Sequence, residues 1–178
     1  MASVSSRILS TILKISNAKG TIGKEFDTGN FRKHDVCEPS KKLYSKLEIK
    51  KDQINNNNYF TLAPKEKGTN THILYLHGGG YINSFNKLHW NFMNTIINET
   101  NCTIVAPDYP LAPKFTYKDS YEMVMPLYEK LLSKVGSDNI IIMGDSAGGG
   151  FALALSQKIK ELRLKGRYLS ILLSPWLD

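Results

Sequence analysis

The sequence has no C-x-x-C pair, and its two cysteines, Cys37 and Cys102, are too few for a disulfide framework. Reduced thiols in a cytoplasmic protein are the expectation, with Cys102, which lies in an apolar run, in the core. Nor is there a continuous apolar stretch approaching the ~18 residues of a membrane span, so no stable membrane insertion is expected. Acid is absent from the first 24 residues: Arg7, Lys14, Lys19 and Lys24 all precede Glu25. That basic, Ser-rich composition is shared by transit peptides, which makes mitochondrial targeting the alternative reading. The same segment places Val4, Ile8, Ile12 and Ile15 on one face of a helix, and a docking helix is the preferred reading. A secretory apolar core is poorly supported, because Ser10 and Thr11 interrupt Ile8 to Leu13 and Lys14 follows.

The 178 residues suit one domain with a sizeable core. With 42% apolar and 22% charged residues, neither disorder nor a coiled coil is indicated. The net charge of +7 comes from scattered lysines, with no helix-turn-helix, RRM or zinc-finger pattern. No nucleic-acid partner is therefore expected.

Residues 1–40 divide into the N-terminal helix and a polar loop punctuated by Gly20, Gly23, Gly29, Asn30 and Pro39. Residues 41–178 form the second region. Leu43 to Ile49 and Tyr59 to Leu62 alternate as antiparallel strands, with the Asn55–Asn58 run as the turn between them. Beyond residue 72 the pattern changes to short continuous apolar runs, which suit strands covered on both faces. These are Ile73–Leu76, Thr103–Ala106, Ile140–Met143 and Leu169–Leu173. Helical spacing fills the intervals at Leu88–Glu99, at Ser120–Val135 (where Pro126 invites a kink) and at Ser146–Lys165. Strands alternating with helices predict an α/β fold: a mostly parallel sheet, an antiparallel N-terminal hairpin and helices on both faces.

Two motifs carry chemistry. Gly144-Asp145-Ser146-Ala147-Gly148 is a G-x-S-x-G pentapeptide between a buried strand and a helix, the context in which that pattern exposes a nucleophilic serine on a strained turn. Side chains at 144 and 148 would collide with the neighbouring helix and strand. A Gly-rich turn that only packs, or that holds a phosphate, is the competing explanation, and Gly149-Gly150 together with the second motif weigh against it. The second motif, His77-Gly78-Gly79-Gly80, follows directly on the strand Ile73–Leu76. Acyl transfer needs preorganised N–H groups for a tetrahedral oxyanion. Gly78, Gly79 and Gly80 are candidate donors, with Ala147, next after the serine, as the other. A phosphate cradle is disfavoured because no Lys-Ser or Lys-Thr follows. His77, at a strand end, is expected to shape the loop by hydrogen bonding rather than to act as a base.

In this order, His77–Gly80, the D-Y-P-L-A-P segment Asp108–Pro113, Gly144–Gly149 and the closing Ser174-Pro175-Trp176-Leu177-Asp178 resemble the hormone-sensitive-lipase-like branch of the α/β-hydrolases, from about residue 40 to the end. The resemblance implies an α/β-hydrolase fold and a serine carboxylesterase acting on short-chain acyl esters, with a small-molecule ester as partner and no cofactor or metal. It implies Ser146 as the catalytic residue, with His77, Gly144, Asp145 and Gly148 in support, and an N-terminal helix that belongs to a cap over the acyl pocket. Pro110 and Lys114 depart from the Arg and Glu common in the family's middle motif, at supporting positions.

The remaining departure concerns the base. In this fold the triad follows the chain order Ser, then Asp or Glu, then His. His34, His72, His77 and His89 all precede Ser146, and only Glu161 and Asp178 follow it as acids. Glu161 falls within the helix after the serine. Asp178 matches the Asp of S-P-W-x-D, which is not the family's triad acid. The chain is therefore expected to be a fragment that lacks the last strands of the sheet and is inactive or very weak. Leu169–Leu173 would then be an exposed apolar edge and a route to self-association. A non-catalytic, hydrolase-like ligand-binding protein and a formamidase-like amide hydrolase remain as alternatives.

Overall fold

The computed structural model describes residues 27–29, 31–164 and 169–177. The chain divides into two compact units, residues 1–33 and 34–178, and the second carries the sheet. The amphipathic helix expected over residues 1–24 lies outside the described residues, as does Asp178.

Six strands build the sheet: β1 (Leu47–Ile54), β2 (Asn57–Pro64), β3 (His72–Leu76), β4 (Thr103–Pro107), β5 (Ile140–Asp145) and β6 (Leu169–Leu173). Their spatial order is β1-β2-β4-β3-β5-β6. β1, β2 and β4 pair antiparallel, whereas β4, β3, β5 and β6 run parallel. Among the described residues four α-helices accompany them: α1 (Lys41–Lys46), α2 (Lys87–Thr100), α3 (Tyr117–Val135) and α4 (Ser146–Glu161). This is the α/β arrangement that the alternating pattern predicts.

The short apolar runs separate two cores, one on each face of the sheet. Leu74 and Leu76 of β3 face one way and pack with Met123, Leu127 and Leu131 of α3 and with Phe151, Leu155 and Ile159 of α4. Ile73 and Tyr75 face the other way, with Trp90, Met93 and Ile97 of α2. Alternation along one strand thus serves two apolar layers, and β3 has no polar face to show. Cys102 is buried in the α2-side core, and Cys37 is exposed. Among the described residues no helix is long and apolar enough to cross a membrane.

The structure corrects the sequence expectation at several places. The segment expected as a strand from Leu43 begins as helix: Ser40 caps α1, its hydroxyl accepting from the Leu43 N–H at 3.3 Å, and extended pairing starts only at Leu47. The turn is two residues rather than four. Asn55 and Asn56 both take left-handed φ, +48° and +61°, which asparagine tolerates best among residues with a side chain, and Asn57 and Asn58 already belong to β2. α4 ends at Glu161, short of Lys165. β6 is partly exposed rather than buried, with Leu169 at 57%.

Pro126 stands inside α3, which runs on through it. Proline has no N–H to donate four residues back, so the Glu122 carbonyl loses its helical partner. The Asn55 side-chain amide, from the hairpin turn, donates to that carbonyl at 2.8 Å. The gap left by the proline is filled by the turn, and the hairpin is tied to the helix.

Candidate functional site

β5 runs directly into α4, and Ser146 is the corner between them. Its φ is +51°, a left-handed value that is costly for a residue with a Cβ. Packing on both sides holds it there. A Cβ on Gly144 would overlap the Gly148 carbonyl, and a Cβ on Gly148 would overlap the carbonyl oxygens of Leu76 and His77. Strand and helix therefore approach more closely than any side chain allows. Ser146 is exposed while Ala147 and Gly148 are buried. On the far side, the Trp176 N–H donates to the Ser146 carbonyl at 2.8 Å.

The His77–Gly80 loop leaves the end of β3 beside this corner. Gly79 and Gly80 take φ of +125° and +63°. The Gly79 carbonyl accepts from the N–H groups of Ile82 and Asn83, at 3.2 and 2.9 Å. Tyr81, next in sequence, anchors the loop to the Asp108–Pro113 segment through its carbonyl, which accepts from the Ala112 N–H at 2.9 Å.

Asp145 joins the loop to the corner. One of its oxygens accepts from the Tyr75 hydroxyl at 2.5 Å and from the Gly78 N–H at 2.9 Å. The other faces His89 Nε2 at 3.5 Å. Burial by itself would raise the Asp145 carboxyl, but the hydrogen bonds from His89, Tyr75 and Gly78 outweigh it and hold the group below its ordinary range. The Tyr75 phenol is pushed well up by burial and by the Asp145 charge, so it stays protonated and donates. His89 receives the Asn86 N–H on Nδ1 at 3.0 Å, which leaves its Nε2 proton for Asp145.

This arrangement corrects one sequence expectation. The Gly78 N–H is spent on Asp145 and is not free for an oxyanion. Glycine is needed at 78 for another reason: a Cβ there would overlap the Asp145 carboxylate. Among the expected donors, Gly79, Gly80 and Ala147 remain.

His77 is fully buried. Its Nδ1 donates to the Gly78 carbonyl at 2.7 Å, its own carbonyl accepts from the Tyr109 hydroxyl at 2.6 Å, and its ring stacks on Tyr109 at 4.4 Å and 15°. Nε2 has no partner among the described residues. Burial pushes the imidazole down to about 4, so it is neutral at neutral pH. His72 begins β3, at the opposite end from this loop, and bonds to Asn70. Among the described residues, neither His77 nor His89 is placed against the Ser146 hydroxyl. Each is occupied in holding backbone or carboxylate.

Sequence reasoning missed His89 and Tyr75, reading one as part of a helix and the other as strand core. A signal for His89 was present. Asn86-x-x-His89 opens α2 as a reciprocal cap, with the Asn86 side chain accepting from the N–H groups of Leu88 and His89.

Residues 73–178 match the model of a family described as having the alpha/beta hydrolase fold. An esterase of Acinetobacter venetianus is 36% identical over 110 residues, covering 60% of this chain and 35% of the relative. A triacylglycerol lipase of Mycobacterium tuberculosis is 31% identical over 111 residues, covering 62% of this chain and 25% of the relative. Among solved structures, a hormone-sensitive lipase from a metagenome library superposes with a TM-score of 0.66 at 32% identity, over 75% of this chain and 45% of that one. The chain thus spans about a third or less of the length of these two curated relatives.

Proposed function

Because this chain belongs to the alpha/beta hydrolase fold family, in its hormone-sensitive-lipase-like branch, we propose that it carries the nucleophile and the oxyanion donors of a carboxylic-ester hydrolase. The observation that carries this reading is Ser146 itself, an exposed serine at φ +51° on a turn that Gly144 and Gly148 make close enough to hold. A serine that only packed or only bound a ligand has no need of that strain.

In the proposed reaction the Ser146 hydroxyl attacks the ester carbonyl carbon. Its proton leaves to a base, and the carbonyl oxygen gains a negative charge. The N–H of Ala147, buried at the start of α4, and those of Gly79 and Gly80 face that charge, each worth about 3–4 kcal/mol of barrier where geometry is right. The positive end of the α4 dipole adds to them. Collapse expels the alcohol, and water then releases the acid. Asp145 keeps the donor loop and the nucleophile at a fixed separation. The proposed substrates are small-molecule esters, as the names of the esterase and lipase relatives suggest.

We assign the proton acceptor to none of the four histidines, all of which precede Ser146. Hydrolysis by residues 1–178 is therefore proposed to sit at the level that binding and oxyanion stabilisation leave, ~10³–10⁴-fold over water. The test uses p-nitrophenyl acetate with the chain and its Ser146→Ala variant, each with and without added imidazole. Wild-type turnover above the variant is expected, with a further rise when imidazole is present to accept the proton. Equal rates for the two proteins, with imidazole present, would remove Ser146 as the nucleophile.

A further inference from the structure

Beside the first two turns of α4 lies an open cleft of about 510 Å³, lined mostly by apolar surface. Five aromatic rings line it: Tyr81 from the glycine loop, Phe115, Tyr117 and Tyr121 from the start of α3 and the residues before it, and Phe151 from α4. Ala154 forms part of the floor. The volume lies within the range of small-molecule sites.

Its position relates it to Ser146. Phe151 and Ala154 follow Ser146 on one helix, and a rise of ~1.5 Å per residue puts them about 7.5 and 12 Å further along the axis. Tyr81 closes the near end. It follows directly on Gly80, and its hydroxyl lies 3.1 Å from where a Cβ on Gly150 would sit, one turn beyond Ser146. Its ring packs on Trp176 at 6.0 Å. The cleft thus begins where a group attached to a bound ester would extend.

The ring geometry indicates what fits. Tyr121 meets Phe151 edge-to-face, at 5.1 Å and 72°. That packing leaves ring faces and edges as walls, surfaces that favour a further ring in offset or T-shaped contact over a flexible alkyl chain. The polar groups of the lining are partly committed already: the Ser120 hydroxyl donates to the Pro110 carbonyl at 2.8 Å. We infer that this cleft binds an aromatic ring carried by the substrate, so that the preferred esters have an aryl group in the part that lies along α4. The inference rests on the ester-hydrolase reading for its meaning but not for its test.

The test measures binding, without turnover. 2-Naphthol, with hexan-1-ol as the aliphatic control, is titrated into the 15N-labelled chain and followed by NMR. The wild type and the Ser146→Ala variant are both expected to bind the naphthol saturably, at least fivefold more tightly than hexanol. Shifts should centre on Tyr81, Tyr121 and Phe151. Ala154→Phe fills the floor from a half-buried position and is expected to weaken naphthol at least tenfold. Its amide spectrum away from the cleft should be unchanged, which separates blockage from misfolding. Phe151→Leu, which keeps bulk but removes the ring, should erase the preference over hexanol. Absence of saturable binding, equal affinity for the two alcohols, or indifference to Ala154→Phe in a folded variant would each overturn the inference. Naphthol binding without ester turnover leaves the cleft standing and the hydrolase reading fallen. Turnover of p-nitrophenyl acetate without naphthol binding does the reverse.

Discussion

Residues in this site are held by what they cannot do elsewhere. Ser146 keeps a left-handed backbone because the strand and helix around it leave no other path. His77 is the sharper case. Burial lowers its imidazole from the ordinary 6.5 to about 4. Between those values the unfolded chain takes up a proton that the folded chain refuses. The contribution is therefore complete above about 6.5 and is lost as pH falls toward 4, on the order of 3 kcal/mol in all. Urea unfolding of the wild type at pH 7 and pH 4.5 is expected to show a clear loss on the acid side. His77→Gln, which can still donate to the Gly78 carbonyl, is expected to shrink that difference; a folded variant with the same pH dependence would refute the assignment. The glycines at 144 and 148 were legible in the sequence because their pattern encodes a packing distance. The Gly78 donor was misassigned for a matching reason: a motif names the residues able to donate, while only the fold shows which N–H is already taken by Asp145.

Elements were legible where apolar runs are short and bounded. β3, β4, β5 and β6 fall within about two residues of expectation, because each is a short apolar run closed by a clear stop: a glycine run after β3, a helix after β5, and a proline at or just past the ends of β4 and β6. The start of β1 was not legible. Leu43 and Leu47 both point into the α2-side core, and spacing alone allows that from a turn of helix as readily as from a strand. Pro126 was visible as a kink signal in α3, but its remedy was not, since the Asn55 amide comes from 67 residues away. That long-range bond gives a prediction at this scale. Asn55→Asp keeps the left-handed turn and removes the donor. It is expected to cost about 1 kcal/mol in chemical denaturation, whereas Asn56→Asp should be near neutral. In a Pro126→Ala background the Glu122 carbonyl regains a helical partner, and the cost of Asn55→Asp should fall. Equal cost in both backgrounds would show that the bond does not compensate the proline.

For the whole molecule, the sheet has two unlike edges among the described residues. β1 is edged by charge, with Glu48, Lys50, Lys51 and Asp52 exposed along it. β6 pairs with β5 on one side, and Leu169 is exposed on it, with Trp176 and Leu177 exposed just beyond. An apolar strand edge is a template for pairing. Sedimentation velocity over a concentration series is expected to show reversible self-association, and Leu169→Lys should raise the dissociation constant about tenfold. A monomer at every concentration would dismiss that route. The Asp145 carboxylate has a consequence at this scale as well. One oxygen grips the loop after β3, and the same residue is the last of β5, whose next residue is Ser146. The two halves of the proposed chemistry therefore share one mechanical degree of freedom. A displacement of the glycine loop carries the serine with it, so the site deforms as a single piece, and its geometry is lost or kept all at once.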